Sequence, residues 1–350
     1  MTQRERFLAT VSGRRPEGIL YTAGFTPDLE RRLIEHAGTE DLAGHYGLFT
    51  PVGVGPIPPE RWTPPDYTVY YSGQDLPEGT TINADGVAMI PAGFYHFARH
   101  HSPLQNARSI EQIEAYVIPD ESDWCTDHLA EKVAAAHEAG LVTQGGIGHM
   151  YETAWQIRGY EEFLVDMIDR PEWAMCLLDK LARRNMNRVV AAAAAGADML
   201  NCGDDVANQN AMMFSVPMWR EFMLSRWSKV WAAAREVKPD IHIWYHSDGN
   251  IEAIIPYLIE AGVTILNPVQ PECMDPAALR KRQPWLNLHG TIGTQSTMPW
   301  GTPQEVRRVV RERVETCGAE GRLILGPTHV LEPEVPIANI EAYVAAAREA

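Results

Sequence analysis

Long hydrophobic runs are missing from the sequence: no stretch approaches the roughly 18 consecutive apolar residues that a membrane-spanning helix needs. The first residues, Met-Thr-Gln-Arg-Glu-Arg-Phe, also lack the apolar core of a secretory signal. These two absences predict a cytoplasmic protein without a membrane span.

Cysteine and positive charge are both scarce. The five cysteines are odd in number, scattered and without a C-x-x-C pair, which argues against a disulfide framework and against a zinc ribbon. The 30 lysines and arginines are outnumbered by 46 aspartates and glutamates, so the formal net charge is −16. Affinity for nucleic acid depends largely on cationic side chains that displace counterions from phosphates, and binding to anionic lipid surfaces also needs cationic side chains. Neither nucleic acid nor an anionic membrane surface is therefore an expected partner.

Short β-branched segments alternate with alanine-rich helical segments along most of the 350 residues. Such alternation is typical of a parallel sheet covered by helices. Eight segments have the pattern of its strands: Gly18–Tyr21, Tyr46–Pro51, Leu141–Gly145, Asp198–Cys202, Ile241–His246, Val263–Asn267, Trp285–Gly290 and Leu323–Gly326. Eight strands, with no G-x-G-x-x-G or Walker sequence, favour a closed (β/α)8 TIM barrel over a nucleotide-binding sheet. We predict a single α/β domain over residues 1–350.

Residues 52–139 do not follow this alternation. Tyr67–Tyr71 alternates like an edge strand, and Thr81–Ile82 and Val87–Ile90 flank Asp85-Gly86, which favours a hairpin with a type I′ turn. We interpret the segment as an insertion between the second and third barrel strands, in a position suited to cap the mouth of the barrel.

In a TIM barrel the catalytic groups gather at the carboxyl ends of the strands, where this chain carries histidines and carboxylates. His246 and Asp248 leave the same face at the end of one strand, and His329 follows a Gly-Pro break after the last strand. Two histidines and one carboxylate would suit zinc or iron, or could act as acid and base. The alternative is structural: Asp248 caps a helix beginning near Asn250, and His246 hydrogen-bonds inside the barrel.

Other strand ends are also rich in polar side chains. Asp205, from an Asp-Asp pair, is our choice for the inward-facing member. Carboxamides in such number suit a neutral polar ligand better than a phosphate. The candidate ligand-contacting residues at these strand ends are His149, Glu152, Trp155, Asn208, Gln209, Asn267, Gln270, Glu272 and His289.

Several of these segments, in order and spacing, resemble the uroporphyrinogen decarboxylase superfamily over roughly residues 100–350. The segments that carry the resemblance are His246–Gly249, Gly262 through Pro268, Gly290–Ile292, Gly301–Val306 and Gly326–His329. Ser102–Leu104 and Gly203–Asp205 look like a less characterised branch of that superfamily. The family fold is a (β/α)8 barrel, as the strand count also predicts.

The resemblance implies one of two activities, and the residues favour the second. Uroporphyrinogen decarboxylation uses an R-Q-A-G-R segment after the first strand, but here Tyr21–Phe25 contains no arginine, so the carboxylates of that substrate would have no clamp. The other activity is methyl transfer with corrinoid proteins, whose zinc ligands His, Cys and Cys align with His246, Asp248 and His329. Replacement of thiolates by harder ligands suits oxygen-bearing methyl donors such as methyl ethers.

The resemblance therefore implies a methyltransferase that moves a methyl group from a small methoxylated or methylated substrate to a corrinoid protein. His246, Asp248 and His329 would hold a divalent metal, most simply zinc. Asp205 or Glu152 would supply protons. The expected substrate contacts include Asn208, Gln209, Gln270 and, at the end of the first strand, Tyr21. The corrinoid would be supplied by a partner protein, and barrels of this family often form homodimers.

Two other functions are compatible with these residues. His246, Asp248 and His329 could serve as acid and base groups of a metal-free decarboxylase or lyase acting on a small organic acid. Alternatively, the barrel could bind a ligand without turning it over.

Overall fold

A computed structural model of the chain describes residues 1–92 and 98–350. Its main sheet has eight parallel strands in the order β1-β11-β10-β9-β8-β7-β6-β2. A hydrogen bond of 2.8 Å from the Phe49 backbone N–H to the Tyr21 carbonyl joins the two edges of the sheet. The predicted (β/α)8 architecture is confirmed. The barrel strands are β1 (Leu20–Tyr21), β2 (Val52–Val54), β6 (Thr143–His149), β7 (Met199–Gly203), β8 (His242–His246), β9 (Ile265–Asn267), β10 (Asn287–His289) and β11 (Leu323–Leu325).

Helices surround this sheet. Their bounds are α1 (Gln3–Val11), α2 (Pro27–Ala37), α3 (Leu42–Tyr46), α4 (Ile110–Ala115), α5 (Leu129–Glu138), α6 (Tyr151–Arg158), α7 (Tyr160–Asp169), α8 (Pro171–Ala194), α9 (Val216–Trp219), α10 (Ser225–Val237), α11 (Ile255–Ala261), α12 (Pro276–Arg282), α13 (Thr297–Trp300), α14 (Pro303–Cys317) and α15 (Ile337–Arg348). A π-helical turn at Arg220–Leu224 joins α9 to α10. In the described part of the chain, no helix combines the length and the apolar character needed to cross a membrane.

Local sequence signals explain where helices begin. The Thr302 side chain accepts a hydrogen bond from the Glu305 N–H, and the Glu305 carboxylate accepts one from the Thr302 N–H. This capping box satisfies backbone donors that a helix leaves unpaired at its first turn. Pro303 fits the first helical position because its missing N–H would have no partner there.

Between β2 and β6 lies a separate antiparallel sheet, formed by β3 (Thr81–Ile82), β4 (Ala88–Pro91) and β5 (Ala98–His101) in that order. Asn83 pairs with Val87 across a three-residue loop, since the Asn83 N–H donates to the Val87 carbonyl at 3.0 Å. Gly86, at φ 79°, takes the left-handed position of that loop. The prediction of a two-residue type I′ turn at Asp85-Gly86 is therefore wrong, because the loop is one residue longer.

Two further strand predictions differ from the structure. Tyr67–Tyr71 is a 3₁₀ helix rather than an edge strand: Asp66 accepts a hydrogen bond from the Thr68 N–H and starts a turn. Tyr67 and Tyr71, four residues apart, are both buried. The second barrel strand is Val52–Val54, directly after the predicted segment Tyr46–Pro51, which contains the last residue of α3 and no strand.

Helix α8 connects this small sheet and its flanking loops to the barrel. Lys180 donates to the carbonyls of Ile113, Glu114 and Tyr116 at 2.7 to 3.0 Å. One turn later Arg184 pairs with Asp85, and one further turn on Arg188 pairs with Glu121. Three basic residues at a spacing of four thus line one face of the helix. A ring contact of 5.4 Å between His100 and Trp155 adds a second connection.

Candidate functional site

An imidazole and two carboxylates converge at the carboxyl ends of β7 and β8. His246 Nε2 lies 3.6 Å from Asp205 Oδ1 and 3.9 Å from Asp248 Oδ1. One donor atom from each of the three residues lies within 4.8 Å of the others. The backbone explains the convergence, since the Asp248 N–H donates to Asp205 Oδ1 at 2.8 Å.

Asn267 and Trp244 fix the His246 ring. Asn267 Oδ1 accepts a hydrogen bond of 2.7 Å from His246 Nδ1, so the neutral ring keeps its lone pair on Nε2, which faces the two carboxylates. The Trp244 ring stacks on His246 with planes 15° apart and centroids 5.8 Å apart. Asn267 was predicted to contact substrate, but its carbonyl oxygen is used to orient His246. Trp244 was not predicted, although its place two residues before His246 puts it on the same strand face.

A second histidine–carboxylate pair lies beside this cluster. His149 is hydrogen-bonded to Glu152, and its ring centroid lies 6.0 Å from that of His246. Glu152 Oε2 also accepts from the Asp205 N–H at 3.2 Å. Burial, with a smaller contribution from His246, lowers the pKa of His149 to about 4. Burial also raises the pKa of the Asp248 carboxyl, so both environments favour uncharged forms.

Asp204, the neighbour of Asp205, has a positioning role that the sequence did not reveal. It is fully buried and accepts hydrogen bonds from the backbone N–H groups of Met150 and Tyr151, each at 2.6 Å. Trp227 Nε1 donates to its other oxygen at 2.7 Å. Burial raises the pKa of Asp204 to about 7. Asp204 thus anchors the start of α6, and Asp205, our choice for the inward-facing member, belongs to the cluster.

A cavity of about 590 Å³ opens at the mouth of the barrel next to Asp248. Carboxamides, carboxylates and His329 line it, together with the indole of Trp300. No lysine or arginine of the described chain is among its lining residues. These are Ala207, Asn208, Gln209, Asp248, Gly249, Gln270, Thr294, Gln295, Pro299, Trp300, Thr328, His329, Val330, Glu332 and Glu334.

The structure brings together only part of the predicted metal triad. His246 and Asp248 meet, but His329 is exposed on the rim of the cavity and lies outside the cluster. The Thr328 N–H donates to the Ile292 carbonyl at 2.9 Å, and the Thr328 hydroxyl lies 3.0 Å from that of Thr294. These bonds hold the chain against the loop after β10. Asp205 takes the third place in the cluster.

Four other predicted ligand contacts lie away from the cavity lining. Tyr21 is buried, and its hydroxyl donates to the Tyr46 carbonyl at 2.6 Å. Trp155 packs edge-on against His100, and Glu272 accepts from the Ser296 hydroxyl at 2.6 Å. His289 has partners on both ring nitrogens: Trp244 Nε1 donates to Nδ1 at 2.8 Å, and Nε2 lies 2.9 Å from the Thr22 hydroxyl. By contrast, Asn208, Gln209 and Gln270 line the cavity as expected.

Gly203 is expected to be required for the position of His246. The two residues are paired across β7 and β8, and a Cβ added at Gly203 would lie 2.3 Å from the His246 carbonyl oxygen. Gly203→Ala should therefore displace His246 and lower turnover by up to about 100-fold, the usual effect of a roughly 1 Å misplacement. The matched control is Gly53→Ala in β2, where an added Cβ meets nothing within 4 Å. Equal activity of the two variants would contradict this role.

Two half-buried histidines are expected to make the fold sensitive to acid. Desolvation lowers the pKa of His242 to about 4 and that of His289 to about 3, from an ordinary value of 6.5. At these rings and at His149 the unfolded chain then binds more protons than the folded chain, and the raised pKa of Asp204 offsets about one of these three protons. The free energy of unfolding should therefore fall as the pH drops from about 6.5 to 4, by up to roughly 1.4 kcal/mol per pH unit for each proton.

Urea titrations at several pH values measure this dependence. His242→Gln removes one of the two groups and should make the slope shallower. A free energy of unfolding that stays constant between pH 6.5 and 4 would show that these rings do not remain neutral in the folded chain.

The family model of uroporphyrinogen decarboxylase (URO-D) matches residues 97–350. The chain belongs to the uroporphyrinogen decarboxylase family. The matched segment contains β6 to β11, and with them the cluster and all residues that line the mouth cavity. The resemblance drawn from the sequence is confirmed. No curated protein is similar enough in sequence to count as a match.

Among solved structures, a methyltransferase from Methanosarcina mazei is similar to this URO-D chain over 100% of its length and 99% of the other chain, with a TM-score of 0.66 and 18% identity. A psychrophilic family 10 endo-β-1,4-xylanase (TM-score 0.36, 11% identity, 62% and 76% covered) and the catalytic core of xylanase A (0.40, 12%, 68% and 88%) are more distant. At 18% identity the methyltransferase establishes a shared fold. The family and the fold together support the conclusion that the protein is an enzyme.

Proposed function

We propose that this URO-D family member is a methyltransferase that takes a methyl group from a small methoxylated or methylated substrate and gives it to a corrinoid carried by a partner protein. The observation that carries the proposal is the Asp205–His246–Asp248 cluster, which shares Asp248 with a cavity that no lysine or arginine of the described residues lines. A neutral methyl donor fits such a cavity, whereas a polycarboxylate would meet Asp248, Glu332 and Glu334.

The donor atoms of the cluster fit a divalent metal. One imidazole nitrogen and two carboxylate oxygens form an N/O set that suits zinc or iron. Asn267 holds Nδ1 of His246, which is the arrangement usual around metal-binding histidines. When bound by Asp205, His246 and Asp248, the metal would supply Lewis-acid polarisation of the substrate oxygen.

The chain's own side chains would handle the proton and the orientation of the substrate. Departure of the methyl group leaves negative charge on the substrate oxygen, and that charge is neutralised by a proton. Glu152, next to Asp205 and paired with His149, is the carboxyl group we assign to hold that proton. Gln270 is tied to the Gly249 N–H by its carbonyl oxygen at 3.3 Å, so its amide N–H₂ is the part that can bind substrate.

Methyl transfer can be measured with free cob(I)alamin as the acceptor and 2-methoxyphenol as the first donor, followed by a panel of methylated compounds. We expect methylcobalamin to form with zinc-loaded protein and to be lost after chelation or in Asp205→Ala. Release of CO₂ from a small organic acid by the chelated protein, without methyl transfer from any donor, would overturn the proposal in favour of a metal-free lyase. Tight binding of a panel compound without either reaction would favour a binding protein.

A further inference from the structure

A second cavity, of about 360 Å³, lies at the opposite end of the barrel, where β8, β9 and β10 begin. His242 and Asn287, the first residues of β8 and β10, line it, together with Arg235, Trp285 and Arg322. Because His246 lies at the other end of β8, this cavity is separate from the mouth and from the cluster.

Two arginines line the cavity. No Asp or Glu of the described residues is among its lining residues, although the chain has 46 of them. Within residues 1–92 and 98–350, neither Arg235 nor Arg322 forms an ion pair. Arg235 donates to the Gly262 carbonyl, and Arg322 donates to those of Val11 and Trp285 at 3.2 and 3.0 Å. Burial lowers the pKa of Arg235, and an anion beside it would relieve that cost.

A buried acceptor in the same cavity has no partner. Asn287 is 2% exposed, and its Nδ2 donates to the carbonyls of Thr264 and Val11 at 2.8 and 3.5 Å. These bonds fix which end of the amide is oxygen. Oδ1 of Asn287 has no hydrogen-bond partner in the described chain. This oxygen is closed to solvent, so the amide holds the chain at Thr264 and Val11 and leaves ligand binding to the arginines.

A flat apolar wall completes the cavity. Trp285 is 78% exposed, and the Arg322 guanidinium lies 5.3 Å from its ring centroid. A large exposed ring held in place by a stacked guanidinium is a surface on which the carbon skeleton of a ligand can rest.

We propose that this cavity binds a small organic anion. Its carboxylate or phosphate group is bound by Arg235 and Arg322, and its carbon skeleton rests on Trp285. Charge-assisted bonds from the guanidinium groups supply most of the affinity, and contact with the indole gives preference over simple anions.

Isothermal titration of the full-length protein tests the proposal, with glycerol 3-phosphate, lactate and inorganic phosphate as probes and glycerol as the neutral comparison. We expect saturable 1:1 binding of glycerol 3-phosphate or lactate, weaker binding of inorganic phosphate, and none of glycerol. The two hydroxylated probes separate a phosphate site from a carboxylate site.

Arg235→Gln should weaken binding by about tenfold or more, as expected for loss of one charge-assisted bond. Binding should be unchanged by Lys132→Gln, which also removes a positive charge but at an exposed position outside the cavity, and by His246→Ala in the mouth. If Arg235→Gln does not fold, Trp285→Ser at the exposed wall takes its place and should also weaken binding. Absence of saturable binding for all anions, or binding that neither variant weakens, would overturn the proposal.

Discussion

Under the proposed function, replacing His246 with alanine is expected to abolish metal binding and to lower methyl transfer by more than about 100-fold, because loss of a ligand exceeds the roughly 10- to 100-fold effect of losing the group that orients it. Nε2 of His246 lies 3.6 Å from Asp205 Oδ1 and 3.9 Å from Asp248 Oδ1. Metal content after dialysis against zinc, together with the rate of methylcobalamin formation, measures both effects.

His329→Ala is the matched control for this experiment. It removes an imidazole from the same cavity but from outside the cluster, so the variant should keep its metal. The metal affinity of Asn267→Ala should fall between those of these two variants, about 10- to 100-fold below that of the unchanged protein. If His329→Ala loses its metal and Asp205→Ala does not, the ligand set predicted from the sequence is right and the set proposed from the cluster is wrong.

Asp166→Ala is expected to lower the free energy of unfolding by about 3–5 kcal/mol, the usual cost of leaving one member of a buried ion pair alone. Asp166 Oδ2 accepts from Arg158 Nε at 2.7 Å, and both side chains are 1% exposed. Arg158 also donates to the carbonyls of Leu104 and Gln105, at 2.7 and 3.1 Å. Without Asp166, a buried guanidinium would keep neutral partners only.

Urea denaturation measures the loss, and Asp169→Ala provides the comparison. Asp169 lies on the same helix, α7, and is exposed, so its replacement should change the free energy of unfolding by no more than about 0.5 kcal/mol. Similar values for the two variants would show that the buried pair contributes no more than a surface charge.

The barrel was predictable because strand–helix alternation and apolar patterning are local signals. Seven of the eight strands overlap the predicted segments, and the miss at Val52–Val54 falls where a short helix precedes the strand. Spacing of two residues along a strand also placed His246 and Asp248 together correctly.

The features that the sequence did not predict depend on contacts between segments that lie far apart in the chain. The rim position of His329 follows from bonds of Thr328 to the loop after β10, which no local pattern encodes. Adjacent acids, Asp204 and Asp205, look alike in the sequence. Only the backbone donors at the start of α6 and the indole of Trp227 decide which one is buried. Tyr67–Tyr71 has a strand-like composition that a single Asp cap overrides.

The row of Lys180, Arg184 and Arg188 on α8 has a consequence for how the molecule can be modified. These three side chains find their partners in the segment between β2 and β6, while the rest of α8 packs against α10 and β6. Deleting that segment to obtain a minimal barrel would leave these three cationic side chains of α8 exposed and without their partners. The segment and the barrel therefore should melt together, in one cooperative transition.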